Sequence, residues 1–373
     1  MNDAAPRRPP PPRISVVVLT HNRREEVLLT LARLTALPEA PPIVLVDNAS
    51  TDGTVAAVAA AFPRVEIVRS AINLGAAGRN LGVERVRTPY VAFSDDDTEW
   101  HAGALARAAT LLDTFPGVGL LCARILVGPD AVEDPASLLM ARSPLASHGL
   151  PGRAILGFMA GACVMRRDLF VLMGGYRREF FVGGEEALMA FDLAAARWLM
   201  LYCPELLVTH RPSVAREPVV RRWQLARNRI WVAWLRLSFS SALRETLAGL
   251  AMLARCGCLI EGARHTWRDG AFARAERRPV PFRVERDWLA VERVRKGVEV
   301  GERNAPDAGR NRAGKAPAQE VVPAAAPIAW STLRQPGMGG GGESKLRAPG
   351  SPPPSGAERP GTDDDTRRPN PRP

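Results

Sequence analysis

From Ile14 to Thr20 the chain reads ISVVVLT, a β-branched run with no polar alternation. Such a run predicts a parallel strand buried on both faces. REEVLLTLARLTAL follows and sets Leu28, Leu31 and Leu34 at helical spacing. PPIVLVD (Pro41 to Asp47) predicts a second strand, opened by proline and closed by an acid. NASTDGT is a turn by composition, and TVAAVAAAF a helix behind it. VEIVRS predicts a third strand, AAGRNLGVERV a helix, and YVAFS a fourth strand. This alternation, repeated to about residue 94, predicts a doubly wound α/β unit with right-handed crossovers and a mainly parallel sheet.

The pattern is less regular beyond residue 100. Residues 101–113 predict a helix. Gly161 to Tyr176 reads as strand, turn and short helix, Glu185 to Trp198 as a helix, and Leu199 to His210 as a strand. From 216 to 300 the period is helical and Arg-rich, with Trp223, Trp231 and Trp234 among the basic residues. After about Gly301 periodicity is lost. That stretch holds 13 of the 33 prolines, the run Gly339 to Gly342 and the acids Asp363 to Asp365. It predicts a disordered tail over 301–373, as the Pro-rich start MNDAAPRRPPPPR does over 1–13. The expected organisation is a folded α/β domain over 14–215, with halves 14–100 and 101–215, followed by a basic helical extension over 216–300. No internal repeat is visible.

Composition sharpens this picture. An apolar content of 46% supports a real core, and 24% charged residues suit a soluble globular chain. The net charge of +11 is uneven: residues 211–300 hold 19 Lys and Arg against 9 Asp and Glu, a net of +10. A basic patch of this size suits an anionic partner such as phospholipid headgroups, an acidic glycan or nucleic acid. It equally suits a solvated helical surface. The five cysteines are scattered, with no CxxC pair, and the histidines show no zinc spacing, so reduced thiols and a cytoplasmic location are expected. The N-terminus lacks the apolar core of a signal peptide. The most apolar long stretch, Leu237 to Ile260, is broken by Arg244, Glu245 and Arg255. It reads as a segment for a membrane surface rather than a span.

The chemistry gathers at predicted strand ends, where open parallel α/β sheets bind ligands. Thr20, His21 and Asn22 follow the first strand; Asp47, Asn48 and Ser50 follow the second; Asp95, Asp96 and Asp97 follow the fourth. Each can cap a turn, but three clusters at equivalent ends point to one ligand site. NLGAAG (Asn73 to Gly78) is not a GxGxxG and does not follow the first strand, and no GxxxxGK[ST] is present, so dinucleotide and P-loop sites are excluded. Hard divalent cations take carboxylate oxygens and leave positions for phosphate, which would relieve the crowding of three acids. The competing reading is a hydrated acidic turn that opens a helix near Thr98.

In order, ISVVVLTHNR, VLVDNASTDGT, NLGAAGRNLGV, YVAFSDDDTEW and FFVGGEEALMAFDLAAARW resemble the family 2 glycosyltransferases of GT-A fold, over roughly Ile14 to Arg229. The resemblance implies an inverting, metal-dependent transferase for a nucleotide-diphosphate sugar, using Mg²⁺ or Mn²⁺. It places Asp47 at the nucleobase and Thr20, His21, Asn22 and Arg23 along the nucleoside. Asn48, Asn73, Arg79, Asn80 and Asp96 join the donor-binding set. It places Asp95 and Asp97 at the ribose and metal-bound diphosphate, with His210 completing the metal shell. The later acidic pair is Glu185-Glu186, where the family commonly has Glu-Asp; Glu186 is the expected base by position, with Glu185 as the alternative. Arg227-Asn228 resembles a family "RN" on a following helix.

The resemblance implies a nucleotide-diphosphate sugar and a glycan or lipid-linked acceptor as partners; the charge and apolar pattern of 216–300 adds an anionic membrane met peripherally at the inner face of the plasma membrane, against an ordinary helical cap, and nucleic acid is not expected. The implied setting is cell-envelope, polysaccharide or glycolipid synthesis, by hexosyl or deoxyhexosyl transfer. A sugar-1-phosphate nucleotidyltransferase shares a similar architecture but usually carries a Gly-rich loop after the first strand, where this chain has THNRREE. A third reading is a membrane-surface or glycan-binding scaffold without turnover, against which the intact Asp95, Asp97, Glu186 and His210 argue.

Overall fold

The structure, a computed structural model, describes residues 11–212 and 218–304. Of the tails expected over 1–13 and 301–373, residues 1–10 and 305–373 lie outside the described residues, while 301–304 continue the last described helix instead of starting the tail. The first half alternates as the sequence predicts: β1 (Ile14–Thr20), α1 (Arg24–Thr35), β2 (Ile43–Asp47), α2 (Thr54–Ala61), β3 (Glu66–Arg69), α3 (Gly78–Arg85) and β4 (Tyr90–Asp95). Val16 and Val18 enter one core with Leu31, Leu34 and Leu45, while Val17 enters the core on the other face with Val46 and Phe93. Helices therefore cover both faces of the sheet, which is why β1 shows no polar alternation.

The second half comprises β5 (Thr98–Trp100), α4 (Ala104–Thr114), β6 (Val118–Val127), β7 (Val132–Glu133), α5 (Pro135–Ala141), β8 (Arg153–Ala154), β9 (Cys163–Arg166), α6 (Arg167–Leu172), α7 (Glu185–Ala195) and β10 (Leu199–His210). The sheet order is β3-β2-β1-β4-β9-β6-β10-β5, with β7 beside β6 and β8 beside β10. β3, β2, β1 and β4 are mutually parallel, as are β6 and β10. β9 is antiparallel to both β4 and β6 and joins the two parallel groups. The expected α/β class with a mainly parallel sheet is the one observed. The acidic turn does not open a helix at Thr98: the chain enters β5, which pairs antiparallel with the end of β10 and sets His210 opposite Thr98.

The basic extension is helical as expected: α8 (Pro218–Arg236), α9 (Phe239–Arg255), α10 (Leu259–Asp269), α11 (Ala271–Ala275) and α12 (Phe282–Asn304). It shares a core with the sheet domain. Phe180, Leu188 and Phe191 pack with Trp231, Leu235, Leu237 and Val284. The five cysteines form no disulfide.

Candidate active site

After β1 the chain adds β2 and β3 on one side, then returns to place β4 on the other. Such a switch point leaves a crevice beyond the strand ends. Leu19 of β1 pairs with Asp95 of β4, so Thr20 and the Asp triplet meet there.

The triplet is held largely by the protein's own cations. Arg23 lies 3.2 Å from Asp96 and 3.0 Å from Asp97. Burial works against its charge, and the two acids outweigh that and raise its pKa. Asp96 turns inward. Thr20 Oγ1 donates to its carboxylate at 3.0 Å, and Thr30 Oγ1 donates to its carbonyl at 2.8 Å. Burial pushes the Asp96 carboxyl up to about 7, with Arg23 opposing and Asp97 and Asp95 adding to the rise. Asp96, expected to touch substrate, is thus used within the fold.

Asp95 pairs with Arg79 of α3. It also lies against the backbone at Gly161, where a Cβ would come within 2.6 Å of its carboxylate oxygen. Asp97 Oδ1 stands 3.6 Å from His210 Nε2, a gap that one cation spans with ligand bonds of about 2.1 Å. Asp97 and His210 therefore fit as two ligands of a divalent ion. Asp95 is turned to Arg79 instead, and among the described residues no three His, Cys, Asp or Glu side chains are gathered around one point. Of the three expected ligands, Asp97 and His210 stand close to each other, and Asp95 pairs with Arg79.

Arg79 joins this turn to the later acidic pair. It is buried at a cost to its charge, and the Asp95 carboxylate beside it, with Tyr176, Glu185 and Glu186 nearby, overcomes that cost and raises its pKa. Glu185 and Glu186 open α7 behind Gly183 and Gly184, whose φ angles of 85° and 99° suit glycine. Glu185 is buried and Glu186 half-buried. Burial, then the charge of Glu186, holds the Glu185 carboxyl well above the usual carboxylate range, with Arg79 opposing. Glu185 Oε2 and Arg79 Nε are both buried without a hydrogen-bond partner.

Several expected donor contacts also shape the crevice. Asn48 donates to the Gly75 carbonyl at 2.9 Å and accepts from Leu74 N at 2.9 Å. Asn73 accepts from Gly75 N at 2.9 Å. Asn80 both donates to and accepts from the Tyr176 backbone, at 2.8 and 2.9 Å. Asp47 is buried and accepts from Ser50 N at 3.3 Å. His21 Nδ1 lies 2.8 Å from the Asn48 carbonyl oxygen, and Asn22, at φ 51°, accepts from Thr51 N at 2.7 Å. His21 and Asn22 are exposed.

Arg227 and Asn228 reach the loop before Glu185 from α8. Asn228 donates to Phe180 O at 2.8 Å and Val182 O at 3.1 Å, and Arg227 donates to Phe180 O at 3.2 Å. Burial drops the Arg227 pKa to about 10, with Asp269 opposing, and its guanidinium lies 4.2 Å from the Trp231 ring centroid. Sequence reasoning missed Gly161 and Tyr176. Tyr176 follows the Gly-Gly of MGGY, a pair that marks a tight turn; Gly161 carries no local signal.

Residues 15–172 match the family model described as Glycosyl transferase family 2. That bears out the family resemblance over this segment. Two curated relatives are N-acetylglucosaminyl-diphospho-decaprenol L-rhamnosyltransferases from Mycobacterium tuberculosis, strains CDC 1551 / Oshkosh and ATCC 25618 / H37Rv. Each is 25% identical over 225 residues, which is 50% of this chain and 73% of the relative. Among solved structures, the mannosyltransferase PcManGT from Pyrobaculum calidifontis, in complex with GDP-Man and Mn²⁺, aligns with a TM-score of 0.48. Its identity is 20%, over 78% of this chain and 86% of that one. GalNAc-T7 with UDP, GalNAc and Mn²⁺ aligns with a TM-score of 0.49 at 14% identity, over 69% of this chain and 56% of that one.

Proposed function

We propose that this family 2 glycosyltransferase moves a hexose or deoxyhexose from a nucleotide-diphosphate donor to a hydroxyl of a lipid-linked sugar, with inversion, in envelope polysaccharide or glycolipid synthesis. The observation that carries the reading is the buried Arg79, which pairs with Asp95 and stands near Glu185 and Glu186. It links the expected diphosphate end of the crevice to the expected base. The lipid-linked acceptor rests on the two Mycobacterium relatives, whose names specify a sugar on diphospho-decaprenol.

In this reading the nucleoside lies along Thr20, His21, Asn22 and Arg23, with its base at Asp47. Asn48, Asn73 and Asn80 set the floor by holding the 73–75 loop and the Tyr176 backbone. A divalent cation, Mg²⁺ or Mn²⁺, would be held by Asp97 and His210, with Asp95 beside them, and would neutralise the departing diphosphate. Arg79 is fixed in place and needs no reorganisation as charge develops.

Burial disfavours the charged form of Glu185, so the half-buried Glu186, the expected base by position, is the better placed of the two to take a proton. Glu186 takes the proton from the acceptor hydroxyl while that oxygen attacks the anomeric carbon. The bond to the diphosphate oxygen breaks as the new glycosidic bond forms. One displacement inverts the centre and needs no covalent intermediate.

The test is a transfer assay. The protein, Mn²⁺, a panel of nucleotide hexoses and 6-deoxyhexoses and a polyprenyl-diphosphate N-acetylglucosamine acceptor are combined, and the lipid product is weighed by mass spectrometry. A gain of one sugar residue is expected. Binding of no donor in a thermal-shift screen, together with no transfer, would overturn the reading.

A further inference from the structure

α9 is apolar on two opposite faces. Inward, Ala242, Gly249 and Leu253 are buried, and Gly249 sits so close to α8 that a Cβ would meet Ile230 Cγ1 at 2.6 Å. Outward, Phe239, Leu243 and Leu247 recur every fourth residue and are 66%, 48% and 61% exposed. Ala251 continues the line and is exposed. A helix apolar on both sides calls for cover on both; among the described residues the inward side is packed, while on the outward side Phe239 meets the Trp234 ring at 5.8 Å yet stays largely exposed. α10 extends the surface. Leu250 of α9 and Trp267 of α10 line one cavity together with Trp231 and Trp234 of α8, so α10 packs beside α9. On α10, Ile260 and Trp267 are 84% and 67% exposed. Arg244, Arg255, Arg264 and Arg268, all exposed, border these apolar positions.

We propose that the outward faces of α9 and α10 form a platform that lies on an anionic lipid bilayer. Charge complementarity selects this occupant. The exposed charges of these two helices are Arg244, Arg255, Arg264 and Arg268 against Glu261, and the arginines stand where headgroup phosphates meet a helix lying in the interface. Phe239, Leu243, Leu247 and Ile260 enter the acyl boundary. Trp267, with the Arg274 guanidinium 4.1 Å from its ring centroid, sits at headgroup depth, where tryptophan is enriched. No described helix is long and apolar enough to cross a membrane, so the contact is peripheral.

Flotation of the full chain tests this, with vesicles of phosphatidylglycerol and phosphatidylcholine against phosphatidylcholine alone, at low and high salt. Binding to the anionic vesicles is expected, weakened by salt and not abolished, because screening acts on charge and leaves apolar insertion in place. Leu247→Asp with Ile260→Asp should lower partitioning about tenfold or more with an unchanged melting temperature. Arg255→Glu with Arg264→Glu should remove the preference for anionic vesicles, and it serves as the independent check if the first variant folds poorly. The proposal fails if the wild type does not float at low salt, or if both variants float like the wild type. It also fails if the wild type forms a dimer that Leu247→Asp dissociates while showing no flotation, since the face is then a contact between copies.

Discussion

Asn228 donates a hydrogen bond to the Phe180 carbonyl at 2.8 Å, 48 residues away in the chain. A side chain from the helical extension thereby holds the loop that delivers Glu185 and Glu186. The extension is part of how the site is made, whatever else it does.

Asn228→Ala should therefore harm both stability and turnover. It removes the Asn228 donor from the part-buried Val182 carbonyl and one of the donors to Phe180 O, which keeps Arg227 at 3.2 Å. An unsatisfied buried polar group costs about 1 to 3 kcal/mol. Calorimetry should show a lower melting temperature, and transfer should drop with little change in donor affinity, because the donor end of the crevice is built from other elements. Unaltered turnover would show that the loop keeps its geometry without this contact.

Asp97→Ala should abolish transfer and weaken Mn²⁺-dependent donor binding. The fold should survive, because Arg23 retains Asp96 at 3.2 Å. His210→Ala should give a similar, smaller loss. Titration calorimetry with donor, with and without Mn²⁺, decides the matter. Equal metal dependence in wild type and Asp97→Ala would remove Asp97 from the metal site.

Much of this arrangement was legible in the chain because buried parallel strands leave uninterrupted apolar runs, and their ends carry turn-forming polar residues. β1, β2 and β4 were visible for that reason. β6, VGLLCARILV, was not: Pro116-Gly117 and Gly128-Pro129-Asp130 bound it, but a buried helix of that length would read alike. The strand ends named the site, yet the division of labour within DDD was hidden. Asp95, Asp96 and Asp97 are alike in sequence, and only tertiary partners set them apart: Arg79, Thr20 with Arg23, and Arg23 with His210. Arg79 and Asn80 are neighbours, yet one faces Asp95 and the other the Tyr176 backbone. The contact of Asn228 with Phe180 joins elements too distant for any local pattern to announce.

A chain ended after Asn304 should keep its melting temperature and its transfer activity. The last described helix, α12, runs to Asn304, and the sequence beyond is rich in proline and glycine with no periodic apolar face. Loss of either property would assign a structural role to 305–373.

Glu186→Gln should bind donor normally and lose most transfer, since removing a general base costs about 10² to 10⁴ in rate. Glu185→Gln is the comparison. It keeps the size of the side chain, and a Glu185 that holds its proton cannot serve as base, so this variant should retain far more activity. A larger loss in Glu185→Gln than in Glu186→Gln would exchange the two roles.

The same pair predicts a dependence of stability on pH. Burial, followed by the charge of Glu186, raises the folded-state pKa of Glu185 well above its ordinary value of 4.5. A raised carboxyl binds its proton more tightly in the folded chain than in the unfolded one. Its contribution to stability is therefore complete below the ordinary value and is lost as pH rises through the raised one. Glu185→Gln removes this proton linkage while keeping a neutral side chain of the same size. The melting temperature of the variant relative to wild type should therefore climb as pH increases from 5 to 8. Wild type and variant melted side by side across that range provide the measurement. Parallel curves would mean that Glu185 ionises normally in the folded protein, and would remove the reason for assigning the base to Glu186 rather than to its neighbour.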